Sequence, residues 1–136
     1  MPVIHWSKEI SVGIDMLDDE HVRLLEILND FYDAMLVEKG SEVLETSLDS
    51  LLAYATAHFK HEEDLFTETA YPEAETHKMR HREAMQRILE IQSKLKTEPS
   101  VDLCNELFEF LTRWLTEHIL GDDQKYTAHF RAHGIR

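Results

Sequence analysis

Six side chains able to bind a metal ion fall at spacings that helices use. His58 and Glu62 are four residues apart, and so are His77 and His81. Residues four apart stack on one helical face, so each pair offers two donors in the same direction. His21 and His118 stand singly, each beside an apolar run. Leu24, Leu25 and Leu28 follow His21 by three, four and seven residues, and Leu111, Trp114 and Leu115 precede His118 by seven, four and three. That period turns both histidines toward an apolar interior.

The elements that must position these donors are helices. Residues 1–14 carry no helical period and are expected as an extended arm. Asp15 or Asp18 is placed to cap a first helix over about 15–38, with Leu24, Leu25, Leu28, Phe31, Tyr32 and Met35 on its inner face and a stop near Lys39-Gly40. Ser41 caps a second over about 41–67, carrying Leu44, Leu48, Leu51, Leu52, Ala55, Phe59 and Phe66. Pro72 reads as the first-turn proline of a third over about 72–96, with Met85, Ile88, Leu89, Ile91 and Leu95. Pro99-Ser100 opens a fourth over about 100–120, with Leu103, Leu107, Phe108, Leu111, Trp114, Leu115 and Ile119. A tail over 122–136 holds a short helix near Gln124–Arg131. Short connections make neighbouring helices antiparallel, so the expected fold is an all-α, up-down-up-down four-helix bundle. No repeat or linker divides the chain, which reads as one domain over 1–136.

Composition agrees. The chain has 136 residues, 43% of them hydrophobic, enough for one packed core, and only four glycines and three prolines to interrupt helices. A net charge of −13 argues against nucleic acid or an anionic membrane as partner. No uncharged apolar run approaches the roughly 18 residues of a membrane span. The start, Met1-Pro2-Val3-Ile4-His5-Trp6, has no signal-peptide pattern, and the single cysteine, Cys104, reads as a small buried hydrophobe. The expected setting is cytoplasmic.

In an up-down bundle His21 lies at the start of the first helix, His58 and Glu62 late in the second, His77 and His81 early in the third, and His118 at the end of the fourth. All six therefore share one level. Five buried imidazoles lack acceptors in an apolar core, and a buried carboxylate is costly unless paired. Metal ions remove both problems. Five nitrogens exceed what one tetrahedral zinc uses, so two ions sharing bridging carboxylates fit better, and imidazole with carboxylate suits iron among first-row metals.

The chain resembles the hemerythrin family, specifically its bacterial single-domain members. The resemblance rests on His5-Trp6-Ser7, Val12-Gly13-Ile14-Asp15 leading to Asp18-Asp19-Glu20-His21, His58-Phe59-Lys60-His61-Glu62-Glu63, Tyr71-Pro72 with His77 and His81, and Trp114-Leu115-Thr116-Glu117-His118-Ile119 with Asp123 and Tyr126. It implies that His77, His81 and His118 hold one iron, that His21 and His58 hold the other and leave it an open position, and that Glu62 and Asp123 bridge both, with an oxo or hydroxo group. It implies reversible O2 binding at the open iron, for storage, delivery or buffering, with NO or small anions such as azide as further ligands. It also places Leu24, Leu25, Leu28, Phe59, Trp114, Leu115 and Ile119 around the oxygen pocket, and Tyr126 beside the metals. One departure is Glu20, where the family often has Gln, which is expected to alter hydrogen bonding or charge near His21.

Asp123 is the ligand that helix geometry does not supply. Asp122, four residues after His118, would share its face, whereas Asp123 lies roughly 140° around. The resemblance selects Asp123 and requires the helix to break or widen at Gly121; Asp122 is the regular-helix alternative. His5, His61, His129 and His133 stand outside the set: His61 is expected in solvent, and His129/His133 as an ordinary exposed pair, with chelation of a stray ion the lesser alternative. Glu63 and Asp64 read as solvated surface. The rival functions are an enzyme reducing peroxide, nitric oxide or nitrite at the same centre, an O2 or redox sensor, and metal storage.

Overall fold

A computed structural model describes residues 6–36, 41–98 and 100–136. Four long helices carry the chain: α1 (Asp15–Leu36), α2 (Ser41–Thr69), α3 (Ala74–Thr97) and α4 (Val101–Glu117). α1 packs on α2, α2 on α3, α3 on α4, and α4 back on α1. With such short connections this adjacency is an antiparallel four-helix bundle. A short α5 (Thr127–Ala132) folds back against α2.

The apolar stripes do what their spacing predicts. Leu24, Leu28, Phe31 and Tyr32 of α1 meet Leu48, Leu51, Ala55 and Phe59 of α2, Ile88 and Ile91 of α3, and Leu107, Phe108 and Leu111 of α4. Leu89 is the exception, half exposed, because it lies about 100° around the helix from buried Ile88. A second apolar cluster closes the other end, built from Val12, Ile14, Leu17, Phe66, Tyr71, Ile119, Tyr126 and Phe130.

Helix ends differ from expectation in three places. α2 runs two residues further, to Thr69, and stops at Ala70, whose φ of 53° is left-handed; the Tyr71 N–H then bonds back to the Phe66 carbonyl at 3.0 Å. Pro72 is not in α3. The Ala74 N–H bonds the Tyr71 carbonyl at 3.2 Å, so Pro72 holds the second position of a turn, which suits its fixed φ. The fourth helix does not stop near 120 but continues as a π-helical turn, His118–Asp123, with α5 beginning at Thr127. Ser100 caps α4 as expected, its hydroxyl accepting the Leu103 N–H at 3.0 Å. His5, Lys39-Gly40 and Pro99 lie outside the described residues, as do the side chains of Met35 and Leu44.

The N-terminal arm contains a 3₁₀ turn, Lys8–Ile10, and is tied down at both sides. Asp18 lies inside α1 and binds the arm, accepting the Val12 N–H at 2.8 Å and the Ser11 hydroxyl at 2.5 Å. The Arg131 guanidinium donates to the Gly13 carbonyl at 2.9 and 3.1 Å, fixing α5 over the arm.

Candidate metal centre

His21, His58, Glu62, His77, His81, His118 and Asp123 all meet between the two apolar clusters, and each is at most 3% exposed. Their donor atoms fall into two groups. One joins His77, His81 and His118 with Glu62 and Asp123; the other joins His21 and His58 with the same two carboxylates. Within each group the donor atoms lie within 4.8 Å of one another, a spacing that surrounds one ion.

The two carboxylates each turn one oxygen to each group. Glu62 Oε1 faces His81 Nε2 at 3.1 Å and His77 Nε2 at 3.6 Å, while Oε2 faces His58 Nε2 at 3.5 Å and His21 Nε2 at 3.9 Å. Asp123 Oδ1 lies 3.0 Å from both His77 Nε2 and His118 Nε2, while Oδ2 lies 3.2 Å from His21 Nε2. A carboxylate so placed can bridge two cations.

The rings are turned the same way. His58 Nδ1 donates to Glu20 at 2.7 Å, His81 Nδ1 to Glu63 at 2.9 Å, and His118 Nδ1 to Asp122 at 3.0 Å. A proton fixed on Nδ1 leaves the Nε2 lone pair pointing inward, where it can ligate a metal. His21 and His58 bring their Nε2 atoms to 3.1 Å, and His81 and His118, both held through Nδ1, oppose Nε2 lone pairs at 3.1 Å. Two inward lone pairs at that distance need a cation between them.

Several buried atoms face one another without a well-aligned hydrogen bond: Glu62 Oε1, both Asp123 oxygens and His77 Nε2. Such atoms are expensive in a closed core. A pair of metal ions satisfies all of them, so the donor set fits the ions that the sequence implies. Without metal, protons take that place. Burial alone would push the His58 ring down, but the Glu62 charge and bonds to Glu20 and Glu62 lift it to about 10. Burial likewise opposes protonation of His77, and its bonds to Asp123 and Glu62 outweigh that, lifting it to about 9. Burial works to raise Glu62, yet the His58 charge and bonds from His58, His77 and His81 hold it well below the usual carboxylate range. Asp123 is also held low: burial and the Glu62 charge oppose this, and His118 and His21 prevail.

The π turn delivers the last carboxylate. His118 and Asp123 are its first and last residues. The wider turn brings a residue five positions on back to the same face, which a regular helix does not. Asp122 is left outside the centre, 17% exposed, accepting from His118 Nδ1 and pairing with Arg80 Nε at 3.3 Å.

These features converge with direct comparison. The model of the Hemerythrin HHE cation binding domain family matches residues 12–130. The chain belongs to the hemerythrin family. A bacteriohemerythrin from Stenotrophomonas maltophilia is 35% identical over 98% of this chain and 85% of its own length. One from Clostridium acetobutylicum is 30% identical over 89% of this chain and 96% of its own length. Among solved structures, a crystal structure of wild-type hemerythrin superposes with a TM-score of 0.82 at 23% identity, covering 93% of this chain and 97% of that one; it is similar in fold. The hemerythrin fold and the His/Glu/Asp cluster together mark a non-haem iron protein.

Around this hemerythrin centre the apolar residues divide. Leu24, Leu28 and Phe59 belong to the main core, with Trp114 and Leu115 packed against it. Ile119 belongs to the second cluster, and Leu115 touches both. Leu25 is buried but joins neither cluster. Phe59 stacks on His81 with ring centroids 3.9 Å apart, and Trp114 on His118 at 4.3 Å. Tyr126 is fully buried and donates its hydroxyl to Glu62 Oε2 at 2.6 Å.

The structure corrects one sequence expectation, for Glu63, and adds partners for Glu20, His61, His129 and His133. Glu20 does not bond His21; it crosses to α2 and serves His58 and His61. Glu63 is not plain solvated surface, since it accepts from His81. His61 is half exposed as expected but is held by Glu20. His129 and His133 are no chelating pair, because His129 Nε2 donates to the Thr69 carbonyl and His133 Nδ1 to the His129 carbonyl, both at 2.8 Å. The His118–Asp122 contact was legible in its spacing of four, whereas those of Glu20 and Glu63 cross between helices.

Proposed function

We propose that this chain binds O2 reversibly at a non-haem di-iron centre, for storage, delivery or buffering. The observation that carries the reading is the unequal donor count around two shared carboxylates, three histidines on one side and two on the other. The side with two leaves an ion short of ligands and ready for a small one. His77, His81 and His118 would hold one iron, His21 and His58 the other, with Glu62 and Asp123 between them. When bound, a ferrous pair supplies the two electrons of a reversible O2 reduction.

The protein's own part is placement and exclusion. Tyr126 spends its hydroxyl on Glu62, which fixes that carboxylate and leaves the phenol no proton to offer elsewhere. Leu24 and Leu28, one and two turns beyond His21, are 1% exposed and would wall the two-histidine side from water. Phe59 and Trp114, stacked on His81 and His118, hold those rings and screen them. An apolar wall in which the described residues place no free acid supports carriage over turnover, since a proton delivered there would discharge reduced oxygen and leave ferric iron. NO and azide, being small, are expected to compete for the same position.

An oxygen electrode tests this. The ferrous protein should take up one O2 per iron pair and return it under argon. Continuous consumption in the presence of a reductant would instead make it an enzyme.

A further inference from the structure

Glu20 stands behind the two-histidine group as no other described residue does. Its Oε1 accepts from buried His58, and its Oε2 accepts from half-exposed His61. The other ring of that group, His21, has a buried Nδ1 with no hydrogen-bond partner. Across the centre, the three-histidine group has two such carboxylates, Glu63 and Asp122, and both are diluted: Asp122 is offset by Arg80, and the Glu63 side chain is 32% exposed. The Glu20 side chain is only 14% exposed, and no Lys or Arg pairs with it among the described residues. Its charge is the least screened of the three.

We infer that Glu20 is a positioning residue that sets the metal affinity and redox poise of the two-histidine subsite, with His61 as its surface anchor. The inference rests on the two-ion reading above. A carboxylate accepting from an imidazole N–H makes the opposite nitrogen a better donor, and a nearby negative charge favours the more highly charged metal. Glu20 therefore strengthens the second ion selectively and lowers the potential at which it is reduced. Glu20→Gln keeps the shape and an accepting oxygen but removes the charge.

The test is stepwise anaerobic Co2+ titration with a competing chelator, followed by the midpoint potential of the iron-loaded protein. Glu20→Gln should bind the first ion as wild type does, the second about tenfold more weakly, and show a raised midpoint. His61→Ala leaves the charge but frees one oxygen, and should weaken the second ion by a smaller factor. Wild-type affinity and potential in Glu20→Gln, or equal weakening of both ions, overturns the inference. If Glu20→Gln does not fold, the titration of His61→Ala decides, and an unchanged second ion overturns it. A wild-type chain that takes fewer than two ions contradicts the two-ion reading itself, which separates the two failures.

Discussion

Asp123 Oδ1 lies 3.0 Å from His118 Nε2 although five residues separate the two along a helix. Asp122, at the regular spacing of four, meets the outer nitrogen of the same ring instead. One π turn thus assigns two adjacent aspartates to opposite sides of one histidine. Asp123→Ala should abolish two-ion loading, because it removes an oxygen from each group. Asp122→Ala should retain two ions with affinity lower by about tenfold. Metal analysis after desalting separates them, and loss of an ion only in Asp122→Ala would reverse the assignment.

The same pair shows what a sequence period can and cannot carry. His21, His58, Glu62, His77 and His81 were readable because each sits in a regular helix, and His118 because it directly follows one, so that apolar neighbours three and four residues away report the inward face. Asp123 lies in the π turn, where that arithmetic fails by a residue, and only family spacing recovered it. The partners of Glu20 and Glu63 were hidden for another reason. Each glutamate adjoins a metal-facing residue in sequence, but its partner lies on a neighbouring helix, and pairing across helices leaves no mark in a local pattern. The bundle itself was legible, because four amphipathic stripes with short connections have few ways to pack. Its turns were less so: nothing in Ala70 announces a left-handed residue.

Tyr126→Phe should cost stability without emptying the site. The hydroxyl bonds an ionised, fully buried carboxylate at 2.6 Å, and hydrogen bonds to charged groups contribute about 1.5–3 kcal/mol. The variant is expected to melt several degrees lower and still bind two ions. An unchanged melting temperature would show that the bond contributes little.

Metal-free protein should depend on pH in a defined window. His58 and His77 are raised from 6.5 to about 10 and about 9, so their contribution is full below about pH 6.5 and fades as pH rises through 9 to 10. Glu62 and Asp123 are lowered from 4.5 and 3.8, so theirs is full above those values and fades as pH falls below them. Melting of the metal-free chain should therefore peak between about pH 4.5 and 6.5 as far as this cluster decides it. Loading near pH 7.5 must expel the ring protons, roughly two per chain, measurable with an indicator dye in weak buffer. Loading without proton release would contradict this.

Gly13→Ala tests how the arm is held. Gly13 has φ of 72°, and an added Cβ would approach Arg131 Nη2 at 3.0 Å and Thr127 Cγ2 at 3.2 Å. The left-handed backbone alone costs a non-glycine residue about 1–2 kcal/mol. Thermal melts should show a drop of several degrees, and no drop would mean that the arm adapts freely.

In the proposed function two irons would share Glu62 and Asp123 and leave a place for O2. Its most direct test is anaerobic titration with Fe2+, followed by air and then argon, with iron and visible absorbance read together. Two irons per chain are expected, with an absorption band that appears with O2 and disappears under argon. One iron per chain, or no reversible band at two, would contradict it.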